Sequence, residues 1–201
     1  MIKNIVFDVG DVLVHFRYRD YMADLGFPEE EIDFLSENMV LTEFWNRLDM
    51  GIEDEDQAVS VFQAKYPQYA DDIGLFWEHI ESIVREFDYA PELVKGLRDK
   101  GYKIYVLSNY PDKLSDMHWK HFKFLEYTDG RLISAKEKLA KPDERFFRLL
   151  ESRFGLNLSE CMFIDDRKVN VDAAAALGMQ AVHFTGEDTL EYLRSLEGVQ
   201  Q

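Results

Sequence analysis

Apolar residues follow two rhythms along this chain. Ile2 to Phe7 is a short run rich in β-branched residues, interrupted by Lys3 and Asn4, and it stops at Val9-Gly10-Asp11. A run this short, closed by turn-forming residues, predicts a buried strand. Three more follow: Lys103–Leu107 ending at Ser108-Asn109, Cys161–Ile164 ending at Asp165-Asp166, and Gln180–Phe184 ending at Thr185-Gly186. Between them the rhythm lengthens to that of a helix. Pro91–Lys100 opens on a first-turn proline, carries Leu93, Val94 and Leu97 on one face and stops at Gly101. Pro142–Phe154 repeats the plan, with Phe146, Leu149, Leu150 and Phe154 inward and Gly155 as the stop, and the alanine-rich Val169–Leu177 ends at Gly178. Strands alternating with helices predict an α/β fold, a parallel sheet covered on both faces.

From about 15 to 89 the strand-like runs vanish and helical stripes replace them, such as Phe76, Ile80, Ile83, Val84 and Phe87. Asp54 with Gln57 three residues on reads as a capping box. The predicted organisation is a discontinuous α/β core, residues 1–14 and 90–201, carrying a small α-helical insertion over 15–89.

Composition narrows the partners. A net charge of −16 disfavours nucleic acid and anionic membranes, so an anionic substrate must be drawn in by local positive charge, from a metal ion or a placed lysine. One cysteine, Cys161, cannot form an internal disulfide. The apolar residues before Asp8 are too few for a signal segment, and no run approaches the ~18 residues that span a bilayer. The expected compartment is the cytoplasm. Oligomeric state is left open.

In open α/β sheets ligands bind beyond the carboxyl ends of the strands. Here those ends deliver Asp8, Ser108, Asp165 and Asp166, and Lys141 precedes the helix beginning at Pro142. Carboxylate oxygens suit Mg²⁺, which takes one or two protein carboxylates together with substrate phosphate oxygens. A carboxylate can also attack as a nucleophile and form an aspartyl-phosphate.

The segments Phe7–Val14 (FDVGDVLV), Val106–Asn109 (VLSN), Ala140–Asp143 (AKPD) and Phe163–Asn170 (FIDDRKVN) resemble, in order, the four motifs of haloacid dehalogenase-like hydrolases. The helical insertion after the first motif is similar to that of members with a small helical cap, bacterial α-glucose-1-phosphatase-like sugar phosphatases among them. The resemblance implies a Rossmann-like core and Mg²⁺-dependent hydrolysis of a small phosphorylated metabolite such as a sugar phosphate. Asp8 would then be nucleophile and metal ligand, and the Gly10 carbonyl a further ligand. Ser108 and the Asn109 backbone would hold phosphate oxygens, and Lys141 would neutralise charge on Asp8 and the phosphoryl group. Asp166 would be the direct ligand of the last motif, Asp165 a second or water-mediated one, and Asn170 a support for that loop.

The chain departs from the pattern at Gly10, where most phosphatases of the superfamily carry an acid/base Asp. General acid–base help is typically worth roughly 10²–10⁴ in rate, so phosphomutase activity is disfavoured and substrates with good leaving groups are favoured. Asp11 reads as a left-handed turn residue ahead of a substitute acid. His118 and His121, three apart, read as surface or partly buried, His15 as a linker residue and His183 as a core or edge residue. Glu43 to Arg47 and the loop at Gly51 are candidates for leaving-group selection, with Phe44 and Trp45 equally suited to the insertion's own core. Two alternatives share the fold: a metal-independent 2-haloacid dehalogenase, for which the Asp165-Asp166 pair has no use, and a non-catalytic binding protein, supported by Gly10 alone.

Overall fold

The computed structural model describes residues 1–198. Seven strands run in chain order as β1 (Asn4–Phe7), β2 (Val14–Phe16), β3 (Val84–Glu86), β4 (Lys103–Ser108), β5 (Gly130–Ile133), β6 (Cys161–Asp165) and β7 (Gln180–His183). Five form one parallel sheet in the order β5-β4-β1-β6-β7. The chain builds outward from β1 on one side and then crosses to the other, so β1 lies at the topological switch point.

The strands read as unbroken apolar runs because both sheet faces are covered. Side chains alternate along a strand: Ile5, Phe7, Ile104, Val106, Met162 and Ile164 join the cluster containing Leu93, Val94 and Leu97 of the helix Ala90–Asp99 and Leu190 and Leu193 of the helix Glu187–Gly198. Val6, Tyr105, Leu107, Cys161 and Phe163 join the opposite cluster, with Phe146, Phe147 and Leu150 of the helix Glu144–Phe154 and Ala174 of the helix Lys168–Ala176. The predicted α/β class, with helices on both faces, is the observed one.

Three strands differ from expectation. The edge strand β5 escapes hydropathy because it reads Gly-Arg-Leu-Ile and only its last two residues are buried. A Cβ on Gly130 would collide with the Phe154 ring, so close strand–helix packing requires glycine there. The strands β2 and β3, three residues each, pair antiparallel through Val14–Glu86, His15–Arg85 and Phe16–Val84. They correct the reading that strands vanish between 15 and 89, and they are too short to show alternation. The stripe from Phe76 to Phe87 is accordingly no single helix: Phe76 lies in one that ends at Glu78, Ile80–Ile83 is a 3₁₀ turn and Val84 opens β3.

Between β2 and β3 the chain is helical, over Tyr18–Asp24, Glu29–Leu35, Glu43–Asp49, Glu55–Lys65 and Ala70–Glu78. Its buried side chains, Tyr21, Leu35, Met39, Phe62 and Phe76 among them, are continuous with one face of the sheet core. Asp54 caps its helix by accepting from the Asp56 N–H at 2.9 Å. The reciprocal arm differs from a capping box, since the Gln57 amide donates to the Asp54 carboxylate at 3.3 Å instead of accepting the Asp54 N–H. The helix predicted from Pro142 starts at Glu144, with Asp143 as its cap.

Phe147 is fully buried and meets Phe163 edge-on, with ring centroids 5.3 Å apart. Phe147→Ala is expected to lower stability by about 3–5 kcal/mol. Urea unfolding should show this as a lower midpoint with unchanged slope.

Candidate active site

The parallel register fixes which residues meet. Phe7 pairs with Val106 on one side and Ile164 on the other. One step past that row, Asp8 leaves β1 between β4 and the Asp165 end of β6, and its N–H donates to the Ile164 carbonyl at 2.9 Å. Lys141 joins the strand ends. Its Nζ lies 2.8 Å from Asp8 Oδ1 and 2.7 Å from Asp165 Oδ2, with its side chain about 1% exposed. Of the three carboxylates, hydroxyl and ammonium expected to converge, Asp8, Lys141, Asp165 and Asp166 lie together, with one carboxylate oxygen from each Asp within 4.8 Å of the other two, while the Ser108 hydroxyl is buried outside the cavity wall.

The carboxylates are not equivalent. Asp165 is fully buried and spoken for: it accepts from Lys141, from the Asn170 amide at 3.0 and 3.1 Å and from the Arg167 N–H at 2.8 Å. Asp8 Oδ1 accepts from Lys141 and from the Val9 N–H at 2.7 Å, while Oδ2 has no hydrogen-bond partner among the described residues. Asp166 is partly exposed and lines the cavity, and its backbone carbonyl accepts from His183 Nε2 at 2.8 Å. Asn170, expected as a support for this loop, is that and more: its Oδ1 is buried without a partner among the described residues.

Burial pushes the Asp8 carboxyl up to about 7, against the pull of Lys141 and with the push of Asp165 and Asp166. Burial raises Asp166 to about 6, helped by Asp165 and Asp11. Desolvation pushes the Lys141 ammonium down, but Asp8 and Asp165 outweigh it and the net shift is upward. An all-oxygen donor set, crowded with negative charge and bordered by an orphaned amide oxygen, suits a hard divalent cation such as Mg²⁺. Gly10 lines the same cavity.

Asn109 acts through its side chain as well as its backbone. Its Nδ2 donates to the Lys141 carbonyl at 2.9 Å and its Oδ1 accepts the Lys141 N–H at 2.8 Å, tying the lysine loop to the end of β4. Asn109 lines the cavity, whereas Ser108, buried at the end of β4, is not part of the wall. Asp11 takes the left-handed turn conformation, φ 50°, and its Oδ1 accepts the Phe16 N–H at 3.0 Å. His15 stacks on Phe87 away from the site. His118 corrects the surface reading: it is buried, its Nδ1 is 2.7 Å from the Tyr110 hydroxyl, and it borders the cavity.

The cavity, about 480 Å³, opens from Asp8 toward the helical insertion. Phe16, Val40, Leu41, Trp45, Ile83 and Leu114 give it apolar walls, and Asn46, Asp49 and Arg167 add polar groups. Asp49 was not anticipated. The signal was present: Trp45 and Asp49 are four apart on one helix and so share a face, and both line the cavity. Burial pushes the Asp49 carboxyl up to about 8, with Arg167 and Lys141 opposing and Asp8 and Glu55 reinforcing the rise.

A family model of haloacid dehalogenase-like hydrolases matches residues 2–178, and the chain belongs to that family. It is 25% identical to the sesquiterpene phosphatase astK of Aspergillus oryzae, over 98% of this chain and 97% of that protein. It is 29% identical to flavin mononucleotide hydrolase 1 of Arabidopsis thaliana, over 92% of this chain and 74% of that one. Its structure is similar, at TM-score 0.71 and 25% identity over 96% and 99% of the two chains, to a HAD family enzyme of Bacteroides thetaiotaomicron in complex with magnesium and inorganic phosphate. No helix among the described residues is long and apolar enough to cross a membrane.

Removing the cation that bridges Asp8 and Asp165 leaves buried carboxylates uncompensated. Lys141→Met in metal-free buffer is expected to cost about 3–5 kcal/mol at neutral pH. Without Lys141, Asp8 rises further above its ordinary 3.8 than its present value of about 7. The folded state then binds more protons than the unfolded one, so stability falls as pH rises through that window. Chemical denaturation should therefore show the deficit of Lys141→Met shrinking from pH 8 toward about pH 5.

Proposed function

We propose that this chain hydrolyses small phosphate monoesters in two steps, through an aspartyl-phosphate on Asp8, in the cytoplasm. The observation that carries the reading is the Asp8–Lys141–Asp165 bridge with Asp166 beside it, at the switch point of a parallel sheet and at the floor of a cavity. Asp8 Oδ2, free of hydrogen bonds, is the attacking oxygen. Lys141 holds Asp8 in place and faces the charge of the phosphoryl group, consistent with transfer driven by positioning and electrostatics. The Asn109 backbone takes phosphate oxygens, with Ser108 buried behind it at the end of β4. Asp8, the Gly10 carbonyl and Asp166 would hold Mg²⁺, with Asp165, already committed to Lys141, as a water-mediated ligand. That ion would supply charge neutralisation at the phosphoryl oxygens. The complex of the Bacteroides enzyme with magnesium and phosphate supports this reading.

The insertion, residues 15–89, acts as a cap that shapes the leaving-group space. A sugar phosphate fits if its ring lies against Trp45. The apolar walls favour a more carbon-rich alcohol, and the sesquiterpene phosphatase relative points the same way. The dehalogenase alternative leaves the Asp165-Asp166 charge without a purpose.

Purified protein should release phosphate from a panel of esters only with Mg²⁺, and Asp8→Asn should fall to background. Isoprenoid or aromatic phosphates should exceed hexose phosphates in kcat/KM. Metal-independent chloride release from 2-chloropropionate, without phosphate release, would place the chain among the dehalogenases instead.

A further inference from the structure

Hydrolysis of an alkyl phosphate needs a proton for the departing alkoxide, and position 10 has no group to give one. The gap is not filled by a neighbour, since a Cβ built on Gly10 meets nothing within 4 Å. Gly10 faces a cavity whose wall also carries a carboxyl from the insertion. Asp49 ends the helix Glu43–Asp49 and lines the same cavity as Asp8 and Gly10. Its side chain makes no hydrogen bond or ion pair among the described residues, whereas its backbone is fastened. The Asp49 carbonyl accepts from the Ser134 hydroxyl, which itself accepts the Tyr110 N–H at 2.8 Å. Two residues on, the Gly51 carbonyl accepts from Lys138, and the Glu55 carboxylate takes the N–H groups of Lys113 and Leu114 at 2.8 and 3.0 Å. A carboxyl held by its backbone and left free at its tip is set to act on something else.

We infer that Asp49, delivered by the insertion, is the general acid and base of this active site, in place of the group missing at Gly10. The inference rests on the phosphatase reading. In the first step Asp8 Oδ2 forms a bond to phosphorus as the ester P–O bond breaks, and the Asp49 carboxyl gives its proton to the leaving oxygen, releasing the alcohol. In the second step a water attacks phosphorus, the Asp49 carboxylate takes the water's proton, and the Asp8–phosphorus bond breaks. Phosphate leaves with Asp8 ionised and Asp49 protonated again. The upward shift of Asp49 from burial fits a group that starts the cycle protonated. Arg167, Lys141, Asp8, Glu55 and Tyr110 are the charged and titratable groups around it.

The test compares two leaving groups in Mg²⁺-saturated protein. An alkyl phosphate needs the proton, whereas p-nitrophenyl phosphate departs as a stable phenolate without it. Asp49→Asn, which keeps shape and removes the proton, should cut kcat/KM, which reports the first step alone, roughly 10²–10³-fold for the alkyl ester and less than about tenfold for p-nitrophenyl phosphate. Asp49→Ser should show the same selectivity if Asp49→Asn folds poorly. Quenched reactions of Asp49→Asn with p-nitrophenyl phosphate should trap acid-stable phosphoprotein, because the second step has lost its base. An equal loss on both esters, or no loss on the alkyl ester, overturns the assignment while leaving the phosphatase reading intact. Full turnover by Asp8→Asn would remove the phosphatase reading itself, and this inference with it.

Discussion

Everything at the mouth of this sheet depends on one buried ammonium. Bringing Asp8 and Asp165 together in the interior costs several kcal/mol per ion in lost hydration, and Lys141, touching both, is the countercharge that offsets it. The offset is incomplete. Three carboxylates share one lysine, and burial, reinforced by repulsion among the carboxylates, raises Asp8 and Asp166. A site that folds with surplus negative charge and an orphaned amide oxygen is poised for a divalent cation. That cation would also answer the conflict between a chain of net charge −16 and an anionic substrate, which Lys141, outnumbered by carboxylates, does not answer alone.

The sheet makes this arrangement affordable in precision. Asp8 and Asp165 extend adjacent parallel strands that share a register, so their spacing follows from backbone geometry. Lys141 arrives on a loop and needs help, which the Asn109 side chain gives by closing a reciprocal pair with its backbone. The Phe163 ring, 5.6 Å from the ammonium, walls it from below. Each polar contact at the site is therefore held by an element whose own position is set by core packing.

This explains what the sequence could and could not disclose. Central strands buried on both faces carry an apolar signature strong enough to find β1, β4 and β6, at whose ends the site residues lie, and the edge strand β7 is legible from a short apolar run although its residues are half-exposed. The motif order located Lys141, which has no local signature. The edge strand β5 and the ribbon of β2 and β3 were hidden, because three or four half-exposed residues carry no periodicity. The Asn109 side chain and His183 were hidden for another reason. Their partners lie 32 and 17 residues away respectively, and contacts at that range are a product of folding.

Asp49 sits at the join between those two kinds of information, and its placement has a mechanical consequence. An acid two residues from the nucleophile moves with the core and is present whatever the insertion does. An acid on the insertion is present only while the Ser134, Lys138 and Glu55 contacts hold the two parts together. Proton transfer is then coupled to closure over the substrate. The walls that would meet the leaving group, Trp45 and Leu41, belong to the same insertion as the carboxyl proposed to protonate it. A leaving group that packs poorly against those walls stabilises closure less, and so loses proton delivery along with binding. Recognition of the alcohol therefore enters kcat as well as KM, which is how binding energy remote from phosphorus is converted into rate.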